Sequence, residues 1–421
     1  MNWKDFIDLK YKPSKNDMVC KFRIEPAKGV SIKKAAEMIA GESSVGTWTG
    51  VVTMKPKIKK MGAKIFSIKG KYVKIAYPSV LFEENNMPQI LSSIGGNVFG
   101  MKALKNLRLE DIDWPDNIIK SFKGPFFGIG GVRELLKVKK RPLVGTIIKP
   151  KLGLNEKEHA KVAYEAWVGG IDIVKDDENL SNMKFNKFTK RVLETLKMRE
   201  KAERETGERK VYMPNVTAEL DKMLQRASFV KEAGGRYMMV DIITVGWSAL
   251  QTLRRANDDL KLVIHAHRSG HATITRNKKH GISMLVISDI ARLIGVDQLH
   301  IGTIIGKMEG PKEEVLNIEE SIEKRIIKKG KHRLGEDWKH IKPVFAVCSG
   351  GLHAGHVPKL IKLLGNDIII QAGGGVHGHK MGTKAGAKSL RQAIQATMNN
   401  ISLNKYAKKN KELKVALSQW G

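Results

Sequence analysis

Cysteine is almost absent from this sequence: Cys20 and Cys348 are the only two among 421 residues. Two thiols cannot build a disulfide framework, and their scarcity suits a reducing compartment. Long apolar runs are missing too, since no stretch approaches the roughly 20 residues that a membrane-spanning helix needs. The opening MNWKDFIDLKYKPSKND has no apolar signal core, which argues against export and for a cytoplasmic protein. Aromatics make up 6% of the chain, and they do not interleave with basic residues in a stripe of the kind that binds nucleic acid. Acidic residues are also few: 43 Asp and Glu against 75 Lys and Arg give a net charge of +32. The excess is scattered, with short runs at 55–60 and 328–333, and reads as a solvated face that favours anions. Neither a membrane nor a specific nucleic acid is an expected partner.

What is present has a strong order. Residues 1–122 read as a mixed α+β domain of ferredoxin-like type. A strand-like VCKFRIEP precedes a helix-like SIKKAAEMIAGE, with Ser31 placed to cap it, and the runs GTWTGVVTM, KIFSIKG and YVKIAYPSVLF are β-rich. The Gly- and Pro-rich stretch at 123–140 reads as a joint. From 141 to 421, eight short apolar runs alternate with amphipathic stretches: 143–149, 171–175, 211–216, 237–243, 261–267, 298–302, 343–348 and 367–371. Apolar strands covered by helices imply a parallel sheet, and eight units fit a closed (β/α)8 TIM barrel. A doubly wound open sheet is the competing architecture.

In such a barrel the chemistry sits at the carboxyl ends of the strands. The first run ends in Lys149-Pro150-Lys151 and the second in Lys175-Asp176-Asp177-Glu178. The fifth ends in His265-Ala266-His267-Arg268, and the sixth carries His300 and leads to Gly306-Lys307-Met308-Glu309-Gly310. The last two end in Ser349-Gly350-Gly351 and Gly373-Gly374-Gly375. Carboxylates at Asp177 and Glu178 suit Mg²⁺, although alone they read equally well as a solvated acidic loop. Glycine clusters let backbone N–H groups approach a phosphate, yet most are only turns. Lys149, Lys151, Arg268, His300 and Lys307 at one mouth suggest a doubly anionic substrate. His265, His267 and His271 invite a zinc reading, which the absence of a cysteine pair discounts. His265 reads as a packed histidine and Cys348 as a core thiol.

The motifs GTIIKPKLGL, GGIDIVKDDENL, HAHRSGHA, QLHIGTIIGKMEG, VCSGGLHAGH and IIIQAGGGVHGH resemble the large subunit of ribulose-1,5-bisphosphate carboxylase/oxygenase, or RuBisCO. GESSVGTWTGV and IGGNVFGMKALKNLRLED resemble the same family's amino-terminal domain, so the resemblance runs through nearly the whole chain. Its wording is most like the archaeal form III branch.

This resemblance implies a Mg²⁺-dependent enolisation of ribulose 1,5-bisphosphate, addition of CO₂ (or, as a side reaction, O₂) and cleavage to two 3-phosphoglycerates. It implies that Lys175 carries an activator CO₂ as a carbamate and holds Mg²⁺ with Asp177 and Glu178, and that this carbamate takes the proton from carbon 3. Lys149 would give the final proton with Lys151 tuning it, His267 would assist proton traffic, and Lys307 would orient CO₂ on a mobile loop. One phosphate would be held by Arg268, His300 and Ser349. The other would be held by Gly351, Gly373, Gly374 and Lys307, together with Thr47 and Trp48, and Gly350 would also bind substrate. Glu42, Thr47, Trp48 and Asn97 would come from the neighbouring subunit, which makes a homodimer, alone or in a ring of dimers, the smallest active unit. No small subunit is expected. Form III resemblance further implies a role in AMP or nucleoside salvage.

The sequence departs from plant-type enzymes at Ile147, where they carry threonine, at Ser269-Gly270 and at Gly355, where they carry a bulky aromatic. These positions bear on specificity and rate but remove none of the named catalysts. The alternative readings are a RuBisCO-like enolase or isomerase acting on a related sugar phosphate and, more remotely, a basic nucleic-acid-binding barrel.

Overall fold

Short, largely buried strands build a five-stranded sheet and a two-stranded ribbon in one of two units and an eight-stranded sheet in the other. The structure is a computed structural model that describes residues 6–47, 49–305, 312–330 and 333–421. Fifteen strands occur among them. They are β1 (Asp17–Pro26), β2 (Lys64–Lys69), β3 (Tyr72–Pro78), β4 (Leu104–Asp113), β5 (Leu143–Ile147), β6 (Ile173–Lys175), β7 (Val211–Met213) and β8 (Tyr237–Asp241). They continue with β9 (Val263–His267), β10 (Gly281–Ile282), β11 (Gln298–Gly302), β12 (Ile326–Ile327), β13 (Glu336–Asp337), β14 (Phe345–Ser349) and β15 (Ile368–Gln371).

One unit gathers residues 1–124, 270–295 and 324–341. Its sheet runs β10-β4-β1-β3-β2. The β1 to β4 strands, with a helix at Ile32–Glu42 and another at Met87–Gly95, follow the ferredoxin-like βαββαβ order. Ser31 caps the first helix as its sequence position predicts, its hydroxyl accepting from the Lys34 amide. Two segments from later in the chain join this unit. β10 pairs in parallel with β4, and the helix Met284–Ile294 is buried at every residue. GTWTGVVTM forms no strand among the described residues. Its Val51 and Val52 are exposed with no sheet face to cover them, and the chain turns at 52–53 instead. β4, which the β-rich runs did not include, lies between β1 and β10.

The other unit gathers residues 125–269, 296–323 and 342–421. Its sheet is parallel, β7-β6-β5-β15-β14-β11-β9-β8, and all eight apolar runs of the sequence are its strands. The ring closes between β7 and β8 at an Asn215–Met239 bridge, where the Val216 amide donates to the Met239 carbonyl and the Met239 amide to that of Pro214. The barrel is therefore closed, and the open-sheet alternative falls away.

Leu143, Ile173, Val211, Met213, Tyr237, Met239, Val263, Phe345, Val347 and Ile369 fill the barrel. Ile129, Val132 and Leu136 from the helix Gly128–Leu136 join this core, so part of the stretch read as a joint plugs the amino-terminal end of the barrel. Beneath the first strands, Asp172 is buried and accepts both Arg141 guanidinium nitrogens at 2.6 and 2.7 Å. It also accepts the Val144 amide and an Arg391 nitrogen at 3.3 Å.

Candidate active site

A strand's two-residue period decides what reaches the barrel mouth. Ile173 is part of the interior core, so Lys175, two residues on, has the same parity. The same step leads from Met239 to Asp241, from Val263 to His265 and His267, from Val347 to Ser349, and from Ile369 to Gln371. Each strand thus carries apolar residues low in the barrel and polar or ionisable ones at its carboxyl end, on one face.

Lys175 is buried, with its Nζ donating to the Asp176 carbonyl at 2.8 Å and lying 3.2 Å from the Met239 sulfur and 3.8 Å from Glu178 Oε2. Burial pulls its ammonium below the ordinary lysine value, against the opposing pull of Glu178, Asp177 and Asp241. Lys149 reaches across from β5 and donates to Asp177 Oδ2 at 2.6 Å. Burial works to raise the Asp177 carboxyl, but Lys149 and Asn179 outweigh it and hold it low. Lys151 lies at the surface just beyond.

Between Lys175 and Asp177 the chain turns on Asp176, which the sequence reading left without a role. It is fully buried and accepts from Arg191 Nε at 3.1 Å, the Tyr212 hydroxyl at 2.7 Å and the Asn215 amide at 3.0 Å, with His159 Nε2 at 3.1 Å. This anchoring fixes the turn that presents Lys175 and Asp177. The Asp176 partner Arg191 is buried fifteen residues downstream on the helix Phe188–Thr206, a pairing no local pattern in the sequence signals.

On the opposite wall, His267 Nδ1 donates to Asp241 Oδ1 at 2.9 Å, and its Nε2 lies 3.7 Å from Glu178 Oε2. Asp241 was another residue the sequence reading missed, although it lies within the fourth run and ends β8. Next to it, the Gln298, His265, His300 and Ser349 side chains form a chain of hydrogen bonds. Gln298 Oε1 meets His265 Nδ1 at 2.9 Å, the two Nε2 atoms of His265 and His300 are 2.9 Å apart, and His300 Nδ1 meets Ser349 Oγ at 2.8 Å. Burial, aided by the Lys175 charge, lowers His265 to about 3; burial and the neighbouring His267 lower His300 as well. Two neutral imidazoles can share one proton between their Nε2 atoms, so the chain is self-consistent. His265 is a packed histidine as expected.

Arg268 lies over Gly302, where a Cβ would come within 2.5 Å of Nη2; the missing side chain makes room for the guanidinium. Burial lowers Arg268 to about 10. Ser349 is followed by Gly350 and Gly351, both with positive φ (121° and 71°), and the Lys149 stem passes over Gly373, which precedes Gly374. Cys348 is buried, and burial raises its thiol to about 12, which suits a core residue.

Glu42, Thr47, Asn97 and His271 belong to the other unit. There Asn97 Nδ2 donates to Glu42 Oε1 at 3.2 Å, and His271 Nδ1 meets Thr275 Oγ1 at 2.9 Å. Trp48 and Lys307 lie outside the described residues.

Comparison with known proteins agrees over the full length. Residues 128–420 match the ribulose bisphosphate carboxylase large chain catalytic domain, and residues 5–118 match its N-terminal domain. A ribulose bisphosphate carboxylase of Methanocaldococcus jannaschii is 52% identical over 99% of this chain and 100% of its own. That of Methanosarcina mazei is 50% identical over 99% of each. Among solved structures, a dimeric archaeal Rubisco from Hyperthermus butylicus superposes with a TM-score of 0.94 at 44% identity, covering 100% of this chain and 99% of the other. An octameric Rubisco from Pyrococcus horikoshii gives 0.92 at 48% identity, covering 99% and 96%. The chain belongs to the ribulose bisphosphate carboxylase large-chain family.

Proposed function

We propose that this chain is a ribulose-1,5-bisphosphate carboxylase of form III type, with oxygenase side activity, and that the barrel mouth described above is its active site. One observation carries the reading: a buried lysine with a lowered pKa stands beside Glu178, while Asp177 next to it is held by a second lysine, Lys149. A lysine reacts with CO₂ only as the free amine, and burial enlarges that fraction at Lys175.

The donor set fits Mg²⁺ only if Lys175 becomes a third carboxylate. Among the described residues no three His, Cys, Asp or Glu side chains are grouped to hold a metal, whereas Asp177, Glu178 and a carbamate on Lys175 would supply hard oxygen ligands. Mg²⁺ held by these three would act as a Lewis acid on the sugar's oxygens.

The remaining chemistry falls to side chains. His267, oriented through Nδ1 by Asp241, presents Nε2 to the mouth for proton transfer. Lys149 Nζ delivers the final proton, with Lys151 beside it. Arg268, His300 and Ser349 hold one phosphate, and Gly350, Gly351, Gly373 and Gly374 hold the other through their backbone, with Lys307, Thr47 and Trp48 completing the enclosure. Glu42 and Asn97 contribute from a second copy of the chain, so the active form is a homodimer or a ring of dimers, in the cytoplasm. The metabolic role is nucleoside salvage; a phosphoribulokinase and no ribose-bisphosphate isomerase in the same genome would contradict it.

The test is release of tritium from carbon 3 of ribulose 1,5-bisphosphate after preincubation with bicarbonate and Mg²⁺. The reading expects release with formation of 3-phosphoglycerate, both lost in Lys175→Ala. Release without 3-phosphoglycerate would instead favour the enolase-type alternative.

A further inference from the structure

We propose that the helix Lys411–Trp420 is a clamp that sets the spacing of the two glycine loops, with Trp420 as the positioning residue that couples them. The proposal rests on the phosphate-binding role given to those loops above.

The loops already touch. A Cβ on Gly375 would lie 2.2 Å from the Leu352 carbonyl oxygen and 2.9 Å from His353 Cα, so only glycine allows the second loop to press against the backbone that leaves the first. Contact of this kind sets a minimum separation but does not stop the loops from parting. The helix supplies that restraint by holding both.

On the side of the first loop, the Trp420 ring lies 5.8 Å from that of His353, which itself stacks on His356 at 3.8 Å. Gly355 faces this group: a Cβ there would meet His353 Cε1 at 3.1 Å and Leu417 Cδ2 at 3.7 Å. The helix therefore occupies space beside a residue with no side chain of its own. Burial and the nearby His356 lower His353 to about 4, so the ring facing Trp420 is neutral at neutral pH.

On the side of the second loop the hold is polar as well as aromatic. Trp420 lies 6.1 Å from the His379 ring, and a Cβ on Gly378 would meet its Cζ2 at 3.8 Å. His379 Nε2 donates to the Glu412 carbonyl at 3.0 Å, while its Nδ1 accepts from the Met381 amide at 3.1 Å. Gln419 Nε2 donates to the Gly378 carbonyl at 2.8 Å, and its Oε1 accepts from the Lys380 amide at 3.1 Å. One helix thus fixes residues 378–380 through hydrogen bonds and residue 353 through a ring. The phosphate that both loops hold needs them at a fixed separation, and pre-setting that distance lowers the ordering cost on binding the bisphosphate.

The test measures steady-state kinetics and equilibrium binding of ribulose 1,5-bisphosphate to the full-length enzyme and its Trp420→Ala, Trp420→Phe and Gln419→Ala variants. Trp420→Ala is expected to raise both KM and Kd for the bisphosphate roughly tenfold, with kcat and the KM for CO₂ changed less than about threefold. Trp420→Phe, which keeps a ring between the imidazoles, restores binding to within about twofold, and Gln419→Ala gives a rise of roughly threefold. Gln419→Ala removes two hydrogen bonds at a partly exposed position and decides the matter if Trp420→Ala does not fold. Unchanged bisphosphate binding in the folded variants, whatever their melting temperature, would overturn the clamp and leave the helix a stabiliser alone. Failure of the wild type itself to bind the bisphosphate would overturn the functional reading, and the clamp with it.

Discussion

At the scale of single residues the site depends on charge states set by burial. His265 and His300 are neutral in the folded protein because the interior disfavours their cations. In the unfolded chain a histidine takes up its proton near pH 6.5, so between that value and about 3 the unfolded state binds more protons than the folded one. Stability from this group is therefore full above pH 6.5 and is lost progressively as pH falls towards 3. Denaturant titrations from pH 7.5 to 4.5 are expected to show that slope, and His265→Gln is expected to flatten it. The Asp241 carboxylate makes a second prediction. Asp241→Asn keeps the shape but removes the charge that orients His267, and kcat is expected to fall roughly 10- to 100-fold with the bisphosphate KM little changed. Equal loss in KM and none in kcat would mean that His267 only binds.

At the scale of elements, the barrel is held at its amino-terminal end by an ion-pair lock and at its helix starts by caps. Burial works to raise the Asp172 carboxyl, yet Arg141 and then Arg391 keep it ionised. Asp172→Ala strands the Arg141 guanidinium, while Arg391 keeps Glu208, and is expected to destabilise by ~3–5 kcal/mol, read from the urea midpoint. Asn155 and Glu158 form a reciprocal capping box on the helix Glu156–Val168; Asn155→Ala is expected to cost about 1 kcal/mol and leave turnover alone. Much at this scale was legible in the sequence. All eight barrel strands show as apolar runs, and their two-residue period puts Lys175, His267 and Ser349 at the mouth. The residues missed are those whose partners are remote in sequence. Asp241 matters through His267, Asp176 through Arg191 and Tyr212, and Trp420 through His353 and His379, pairings that only the closed barrel creates. GTWTGVVTM misleads because its β-branched residues suit a strand while no sheet face covers Val51 and Val52.

At the scale of the whole molecule, 32 uncompensated positive charges repel one another in the compact state. Screening shortens the reach of that repulsion to about 3 Å at 1 M salt, so the melting temperature is expected to rise between 0.05 and 1 M. A flat response would mean that the charges are already paired with bound anions. Function at this scale asks whether the barrel mouth does the complete reaction or only its first step. The most direct measurement is incorporation of labelled CO₂ into acid-stable product from ribulose 1,5-bisphosphate, after preincubation with bicarbonate and Mg²⁺. The account predicts two 3-phosphoglycerates per bisphosphate consumed, one of them labelled, and no fixation by Lys175→Ala. Label fixed equally well by Lys175→Ala, or bisphosphate consumed by the wild type with no label in the product, would contradict it.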